Sequence, residues 1–396
     1  MSEINFFNEE VNVENKKVIL RLDLNVPISE GTIQDFTRID VSLPFIKNLR
    51  EKKAKIILVS HLGRPKGKFD ESLSLKPIFE YLKKKLTEDI YFYSDLFSND
   101  LKNKIAKLKA GEIILLENIR FFQEEVDDDD NFAKKLSSLG EIYINDAFSC
   151  SHRKQASVHK ITKFIDTSYA GPILKKEILA LNLITQQRKE PVTCIIGGSK
   201  ISTKIDLISS LMLKVNNIIV VGAMANNFLK FKGLEIGKSL FEKNSSQIVE
   251  RIYLDAKKYN CKIIIPSDCM ISKNMGGVGT VKNNDEVKNN EIILDIGPKT
   301  IEKIKTYIDD SKTIFWNGPA GYFENDNFLN GTETIAVKIS INTKNSNLIS
   351  IVGGGDTISA INKIKQKLLF THLSTAGGAF LEYLKGKDLP AISVLK

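Results

Sequence analysis

The chain has 396 residues, 42% apolar and 27% charged, a composition that excludes disordered, collagen-like and fibrous classes; at roughly 150 residues per domain it argues for two or three globular domains. Its formal charge of +9, from 57 Lys and Arg against 48 Asp and Glu, suits an anionic partner, either nucleic acid or a phosphorylated metabolite. Cys150, Cys194, Cys261 and Cys269 form no CxxC pair and no disulfide framework, so a reducing cytosol is expected.

The opening stretch MSEINFFNEEVN is acidic and lacks the basic-then-apolar order of a signal peptide. No apolar run approaches the roughly 18 residues a membrane helix needs, so a cytoplasmic protein without a membrane span is expected. Short β-branched runs come next at residues 18–20, 56–60, 113–116 and 142–144. Polar-apolar stretches of helical period separate them, and the alternation reads as βα units around a parallel sheet. Residues 175–181, KKEILAL, are strong helix formers ahead of Pro191 and read as a helical linker. A second series then runs through 192–196, 218–221, 263–265, 313–316 and 348–352. The expected fold is α/β: two doubly wound, Rossmann-like parallel-sheet domains joined by a helical hinge.

In open α/β sheets ligands sit at the carboxyl ends of the strands. The first-half strands are succeeded there by Arg21, Asp23 and Asn25 in RLDLNVP, Ser60, His61, Gly63 and Arg64 in SHLGRP, Asn118 and Arg120 in LLENIRF, and Asn145, Asp146, His152 and Arg153 in INDAFSCSHR. Arg38, in FTRID, adds another guanidinium. Guanidinium forks match carboxylate and phosphate oxygens bidentately, so this rim suits a small, highly charged anion. Single Arg or His residues in separate turns with Asp and Asn describe a pocket; a nucleic-acid surface would interleave basic and aromatic residues.

The second-half strand ends are rich in glycine: IIGGSKISTK (195–204), VVGAMANNF (220–228), FWNGPAGYFE (315–324), IVGGGDT (351–357) and HLSTAGGAF (372–380). Glycines between a strand and a helix let backbone N–H groups approach phosphate oxygens. Lys200 and Lys204, four apart at the start of a presumed helix, are expected on one face, and Asp356 can reach a Mg²⁺ bound to a polyphosphate. The stretch 233–239, GLEIGKS, has three residues between its glycines where a P-loop has four, and is read as a turn. GxGxxG, HExxH, a nucleophile elbow and a Cys-His metal set are absent. An anion pocket in one domain and a nucleotide site in the other suggest phosphoryl transfer across an interdomain cleft. The rim offers no obvious general base, and a carboxylate acceptor, already ionised at neutral pH, needs none.

The motifs RLDLNVP, SHLGRP, LLENIRFFQEE, INDAF with SHR, IIGGSKIS, DIGPKT, FWNGPAGYFE, VGGGDT and STAGGAFLE succeed one another in an order that resembles the phosphoglycerate kinase family over essentially the full length. The resemblance implies reversible transfer between 1,3-bisphosphoglycerate and MgADP, giving 3-phosphoglycerate and MgATP in glycolysis, by a monomer whose domains close about a hinge. It implies a phosphoglycerate-binding domain at 1–170, a linker at 171–190, a nucleotide-binding domain at 191–382 and a returning segment at 383–396.

The residues it assigns to phosphoglycerate are Asp23, Asn25, Arg38, His61, Arg64, Arg120 and Arg153. To the nucleotide it assigns Gly198, Lys200, Lys204, Gly222, Asn317, Pro319, Glu324, Gly353, Gly354, Gly355, Asp356, Thr357, Gly377 and Gly378. Arg38, Lys204, Gly354 and Gly377 carry the catalytic roles, and Asp356 holds Mg²⁺. Thr203, Val221, Ala376 and the run Ser149-Cys150-Ser151 depart from the commonest family wording. A non-catalytic binding protein would not be obliged to keep Arg38, Lys200, Lys204 and Asp356, and a dinucleotide oxidoreductase would require the missing GxGxxG.

Overall fold

A computed structural model of the chain describes residues 4–86, 89–374 and 376–396; Thr375, within the STAGGAFLE motif, lies outside the described residues. The chain divides into two compact units, Met1–Ile178 with Asp388–Lys396, and Leu179–Lys387. The helix Pro172–Thr185 contains the 175–181 stretch, and the division falls within it.

The first unit is built on six parallel strands in the spatial order Ile90–Tyr93, Ile113–Leu116, Lys55–Val59, Lys17–Arg21, Ile142–Asn145 and Ser168–Ala170. Its central strands, such as IILL at 113–116, are buried except at Lys17 and Lys55, because helices cover both faces of a parallel sheet. That is why they were legible as continuous apolar runs. The edge strands Ile90–Tyr93 and Ser168–Ala170 were not anticipated; they are short and half-buried, so no such run marks them. The C-terminal segment belongs to this unit: Asn5 N–H donates to Leu395 O at 2.8 Å, Ala391 N–H donates to Ser151 O at 3.2 Å, and Ala391 packs with Cys150 and Val158.

The second unit has six parallel strands in the order Lys262–Ile264, Asn217–Val220, Val192–Ile196, Thr313–Asn317, Ile349–Gly353 and His372–Ser374. Taken in chain order this is 3-2-1-4-5-6, the doubly wound arrangement whose direction reverses between Val192–Ile196 and Thr313–Asn317. Trp316, the single tryptophan, is fully buried beside that reversal and donates its Nε1–H to Gly318 O at 2.8 Å. A three-stranded antiparallel sheet, Thr280–Asn283, Asp268–Ser272 and Ile292–Ile296, was not foreseen; its outer strand Thr280–Asn283 is largely exposed and polar.

Asp295, in the last of those strands, is buried and accepts hydrogen bonds from Ile296 N–H and Gly331 N–H, both at 2.8 Å. Gly321 and Gly331 make room for it: a Cβ at either would come within 2.6 Å of its carboxylate. Burial pushes its pKa up to about 7 from 3.8. The folded state therefore binds a proton that the unfolded state has released between those values, and stability falls as pH rises through this window, by a few kcal/mol in all (roughly 1.4 kcal/mol per pKa unit). Replacing Asp295→Asn removes the titration, so the thermal midpoint, read by Trp316 fluorescence from pH 5 to pH 8, should decline less steeply with pH than in the unmodified chain. Equal slopes would contradict the buried-carboxylate account.

Candidate active site

In the first sheet the strand Lys17–Arg21 pairs with Lys55–Val59, the next sheet strand in the chain, on one side and with Ile142–Asn145, which follows Ile113–Leu116, on the other, and such a reversal is where a doubly wound sheet opens a crevice. Arg21 ends that strand. The sequence places it on the pocket rim; the structure instead buries it completely beneath the rim, because the strand's last side chain points into the layer below the loops. Its Nε–H donates to Ser157 Oγ at 2.9 Å, and one Nη donates to Leu22 O. The other Nη lies 3.3 Å from His61 Nδ1 and 3.9 Å from Cys150 Sγ. Ser157 passes the contact on, donating from Oγ to Glu125 Oε1 at 2.6 Å and from N–H to Oε2 at 2.7 Å. Burial pushes Glu125 up to about 7, with Arg21 opposing that shift. His61 is driven well below 6.5, by burial first and then by Arg21, Arg120, Arg38 and Arg153, so its imidazole is neutral.

Above this layer the expected anion ligands connect to one another. Asp35 fixes the start of the helix Thr37–Glu51 by accepting from Thr37 N–H at 2.8 Å, which sets Arg38 in the first turn. Arg38 Nη1 donates to Asp23 Oδ2 at 2.7 Å and to Asn25 O at 3.1 Å. Ser149 Oγ also donates to Asp23 Oδ2. Asn25 Oδ1 accepts from Gly63 N–H at 2.8 Å, and Gly63 O accepts from Arg120 Nη1 at 3.0 Å. Arg120 further donates to Gln155 Oε1 at 3.1 Å, keeps a buried Nε without a partner, and is pulled to about 10 by burial. Arg153, half-buried, donates to His152 Nε2 at 3.2 Å. Arg64 is exposed and makes no hydrogen bond among the described residues.

Two other rim residues serve the scaffold. Asn118 is buried, accepting from Arg120 N–H at 3.1 Å and donating to Leu62 O and Leu73 O. Asp146, pushed up to about 7 by burial, accepts from Leu174 N–H at the start of the helix Pro172–Thr185. Glu125, Ser149, Gln155 and Ser157 escaped the sequence reading. Only the position of Glu125 inside LLENIRFFQEE could have hinted at it.

In the second unit the loops after Val192–Ile196, Thr313–Asn317 and Ile349–Gly353 meet at the sheet's reversal. A Cβ on Gly318 (φ +106°) would stand 2.4 Å from the Gly197 backbone, so only glycine permits the two loops to touch. Lys200 and Lys204 do not share a helix face as expected. The helix begins at Ile205, and Lys204 sits in the turn before it because Ser202 is held by Glu242, N–H to Oε2 at 2.8 Å and Oγ to Oε1 at 2.6 Å. Lys204 folds back, donating to Gly197 O and to Asn317 Oδ1, each at 2.6 Å, and burial pulls its ammonium to about 8. Lys200 is exposed. Asn317 Nδ2 donates to Gly353 O at 2.7 Å, while Thr357 Oγ1 accepts from Gly318 N–H at 2.7 Å and donates to Gly353 O at 3.1 Å. Gly353 and Thr357 therefore brace the loops. Gly354 and Gly355 open the helix Gly355–Asn362, and Gly377 and Gly378 open Gly377–Leu384.

Two cavities adjoin these loops. One of about 290 Å³ is lined by Lys200, Lys204, Asn317, Gly354, Gly355 and Gly377. The other, of about 490 Å³, is lined by Gly222, Asn226, Leu294, Pro319, Tyr322 and Glu324. Gly198 and Asp356 line both. The departures from family wording leave these cavities intact: Val221 and Ala376 are buried, and Thr203 is exposed on the rim of the smaller one. Among the described residues no group of three or more His, Cys, Asp and Glu is arranged to hold a metal. None of their helices is long and apolar enough to cross a membrane.

A cluster of guanidiniums on one doubly wound unit and glycine loops around a part-buried lysine on the other suit a kinase, a transferase of phosphoryl groups. Comparison with known proteins specifies which: a profile of the phosphoglycerate kinase family matches residues 8–387, and the chain belongs to that family. It is 44% identical over 391 residues to the phosphoglycerate kinase of Wolbachia pipientis wMel, covering 98% of each chain. It is also 44% identical over 389 residues to that of Orientia tsutsugamushi, covering 98% of this chain and 96% of the relative. Among solved structures, the phosphoglycerate kinase of Coxiella burnetii superposes with a TM-score of 0.87 at 38% identity, covering 98% of this chain and 97% of its own. That of Pyrococcus horikoshii OT3 gives 0.82 at 29% identity, covering 98% of each.

Gly354 (φ +108°) tests how tightly the second unit's loops are set, since a Cβ there would lie 2.6 Å from Asn317 Nδ2. Gly354→Ala should displace Asn317, release Lys204 and lower the thermal midpoint seen by the neighbouring Trp316 by several degrees, for a cost of about 1–3 kcal/mol. An unchanged midpoint would show that the loop accommodates a side chain.

Proposed function

We propose that the two residue sets bind the two substrates of the family's reaction, reversible phosphoryl transfer between 1,3-bisphosphoglycerate and ADP. The observation that carries this is their chemical division: convergent guanidiniums with a neutral histidine on one unit, backbone amides with one buried ammonium on the other. Arg64, Arg120 and Arg153, with His61, take the distal phosphate of the glycerate; Asp23 and Asn25 take its hydroxyl and carboxyl end. Gly198, Gly222, Pro319 and Glu324 receive the nucleoside, and Lys200, Lys204, Asn317 and the amides of Gly354, Gly355, Gly377 and Gly378 receive its phosphates.

In the ATP-forming direction a β-phosphate oxygen of ADP attacks the acyl phosphorus, the bond from phosphorus to the carboxyl oxygen breaks, and a carboxylate leaves. No proton moves, in keeping with a pocket that offers no general base. Negative charge shifts between carboxyl oxygen and phosphoryl group as this happens, and preorganised cations meet it where it develops. Arg38, already aligned by Asp23, does so from the glycerate side, and Lys204 from the nucleotide side, with the amides of Gly354 and Gly377 aimed at phosphoryl oxygens. Transfer demands reacting atoms about 3 to 3.5 Å apart; domain closure about the hinge helix is our reading of how two ligands held by different units reach that distance.

Asp356 is exposed on the wall common to both nucleotide cavities and its carboxylate makes no hydrogen bond among the described residues, which fits a Mg²⁺ held by one carboxylate and phosphate oxygens. It would hold that ion, whose charge offsets the polyphosphate. We further read the enzyme as acting as a monomer in the cytoplasm; its four cysteines are free and buried, as suits a reducing compartment.

A coupled assay of ATP formation from ADP and 1,3-bisphosphoglycerate tests this reading. Arg38→Ala should lower kcat and kcat/KM together by several hundredfold, since a preorganised charge donor is worth about 3–4 kcal/mol in the transition state, while 3-phosphoglycerate binding changes modestly. A kcat within about tenfold of the unmodified enzyme would remove Arg38 from the reaction.

A further inference from the structure

The strand Lys262–Ile264 ends the second unit's sheet, and among the described residues it pairs with Asn217–Val220 alone. Lys262 N–H donates inward to Asn216 O at 2.9 Å, so the alternation of a parallel ladder turns the N–H and C=O of Ile263 and Ile265 to the open side. A groove of about 580 Å³ runs along that edge. Lys232, Lys262 and Lys303 line it, all exposed and none with an ion-pair partner among the described residues; the acid among the lining residues is Asp285. At its end Asn284, 6% exposed, donates from Nδ2 to Pro266 O at 2.8 Å and leaves Oδ1 buried without a partner.

Each feature specifies part of an occupant. Outward main-chain groups ask for another extended backbone. Lys262 on the strand, with Lys232 and Lys303 on the neighbouring helical segments, repels a second copy of the same edge, the usual defence against self-association, and the same charges attract a negatively charged segment. We propose that this edge is a docking site for an extended acidic peptide, which adds a strand beside Lys262–Ile264, pairs with Ile263 and Ile265, and sets its carboxylates against the three lysines. The groove shares Leu229 and Pro266 with the larger nucleotide cavity but none of the proposed phosphate ligands, and Lys232, Lys262 and Lys303 line neither nucleotide cavity, so the lysines can be altered apart from catalysis.

The test uses fluorescence anisotropy with the full-length protein and a labelled peptide of alternating Glu and Val, beside a Lys-Val counterpart and a Glu-Val version N-methylated on alternate amides. The acidic peptide should bind, the basic one should not, and N-methylation should abolish binding. A variant carrying Lys232→Glu, Lys262→Glu and Lys303→Glu should bind the acidic peptide about tenfold or more weakly while turning over substrate normally, since three exposed ion pairs together amount to roughly that factor. Failure of the acidic peptide to bind would overturn the proposal, as would indifference to charge reversal. Equal binding of the N-methylated peptide would reduce the edge to a charged patch without strand pairing. Sedimentation showing that the protein pairs with itself, and that the charge-reversed variant does not, would give the edge to a second copy and overturn the peptide as well.

Discussion

Positive charge gathered in one place without enough negative charge to balance it is the constraint on which the first unit depends. Arg21 has no exposed surface, and Arg120 is nearly as buried. Burial first, and then Arg21, Arg120, Arg38 and Arg153, all bear on the same imidazole, His61, and hold it well below its ordinary pKa. The carboxylates hydrogen-bonded into the cluster are Asp23, which holds Arg38 directly, and Glu125, which reaches Arg21 only through Ser157. Burying a guanidinium is tolerable when its donors are satisfied, and Arg21 satisfies its own with Ser157, Leu22 and His61. With Asp23 and Glu125 as its carboxylates, the cluster holds more positive than negative charge among the described contacts, which suits the anionic ligand proposed above.

The second unit solves the matching problem with little charge. Its glycine loops approach one another because Gly197, Gly318 and Gly354 have no side chain to interpose. Backbone amides and helix N-termini then offer partial positive charge that needs no counterion. The one cation drawn into this framework, Lys204, is held on Gly197 O and Asn317 Oδ1 and has a depressed pKa. Polyphosphate oxygens would replace those carbonyls as acceptors and restore the full charge. A guanidinium pocket thus suits the compact acid, and an amide-lined cavity suits a nucleotide that arrives with its own cation.

Much of this was legible in the residues because both sheets are parallel. Strands buried on two faces read as β-branched runs, and the loops that leave those strands all gather at one end of the sheet, so Asp23, His61, Arg120 and Arg153 could be grouped though more than a hundred residues separate the first from the last. Arg38, on a helix, was legible as another guanidinium, and only its catalytic role came from the family resemblance. Half-buried strands such as Ile90–Tyr93 escaped because the same logic gives them no apolar run. Spacing also misled at Lys200 and Lys204, where helical periodicity was assumed before the helix begins. The partners that make the arginines tolerable, Glu125, Ser149, Gln155 and Ser157, are ordinary polar residues whose meaning comes only from tertiary contact.

The central claim is that the arginine cluster is a source of strain until an anion enters, and Arg153 is its best probe, being half-buried and one of the guanidiniums that press on the buried Arg120. Differential scanning calorimetry of Arg153→Ala beside the unmodified protein, with and without 3-phosphoglycerate, reads both sides of that claim. Removing one guanidinium should raise the unliganded midpoint by about 2 °C, the size of shift that relief of under 1 kcal/mol gives in a domain this large. It should also erase most of the rise that 3-phosphoglycerate produces. A lower unliganded midpoint together with an undiminished ligand-induced rise would contradict it.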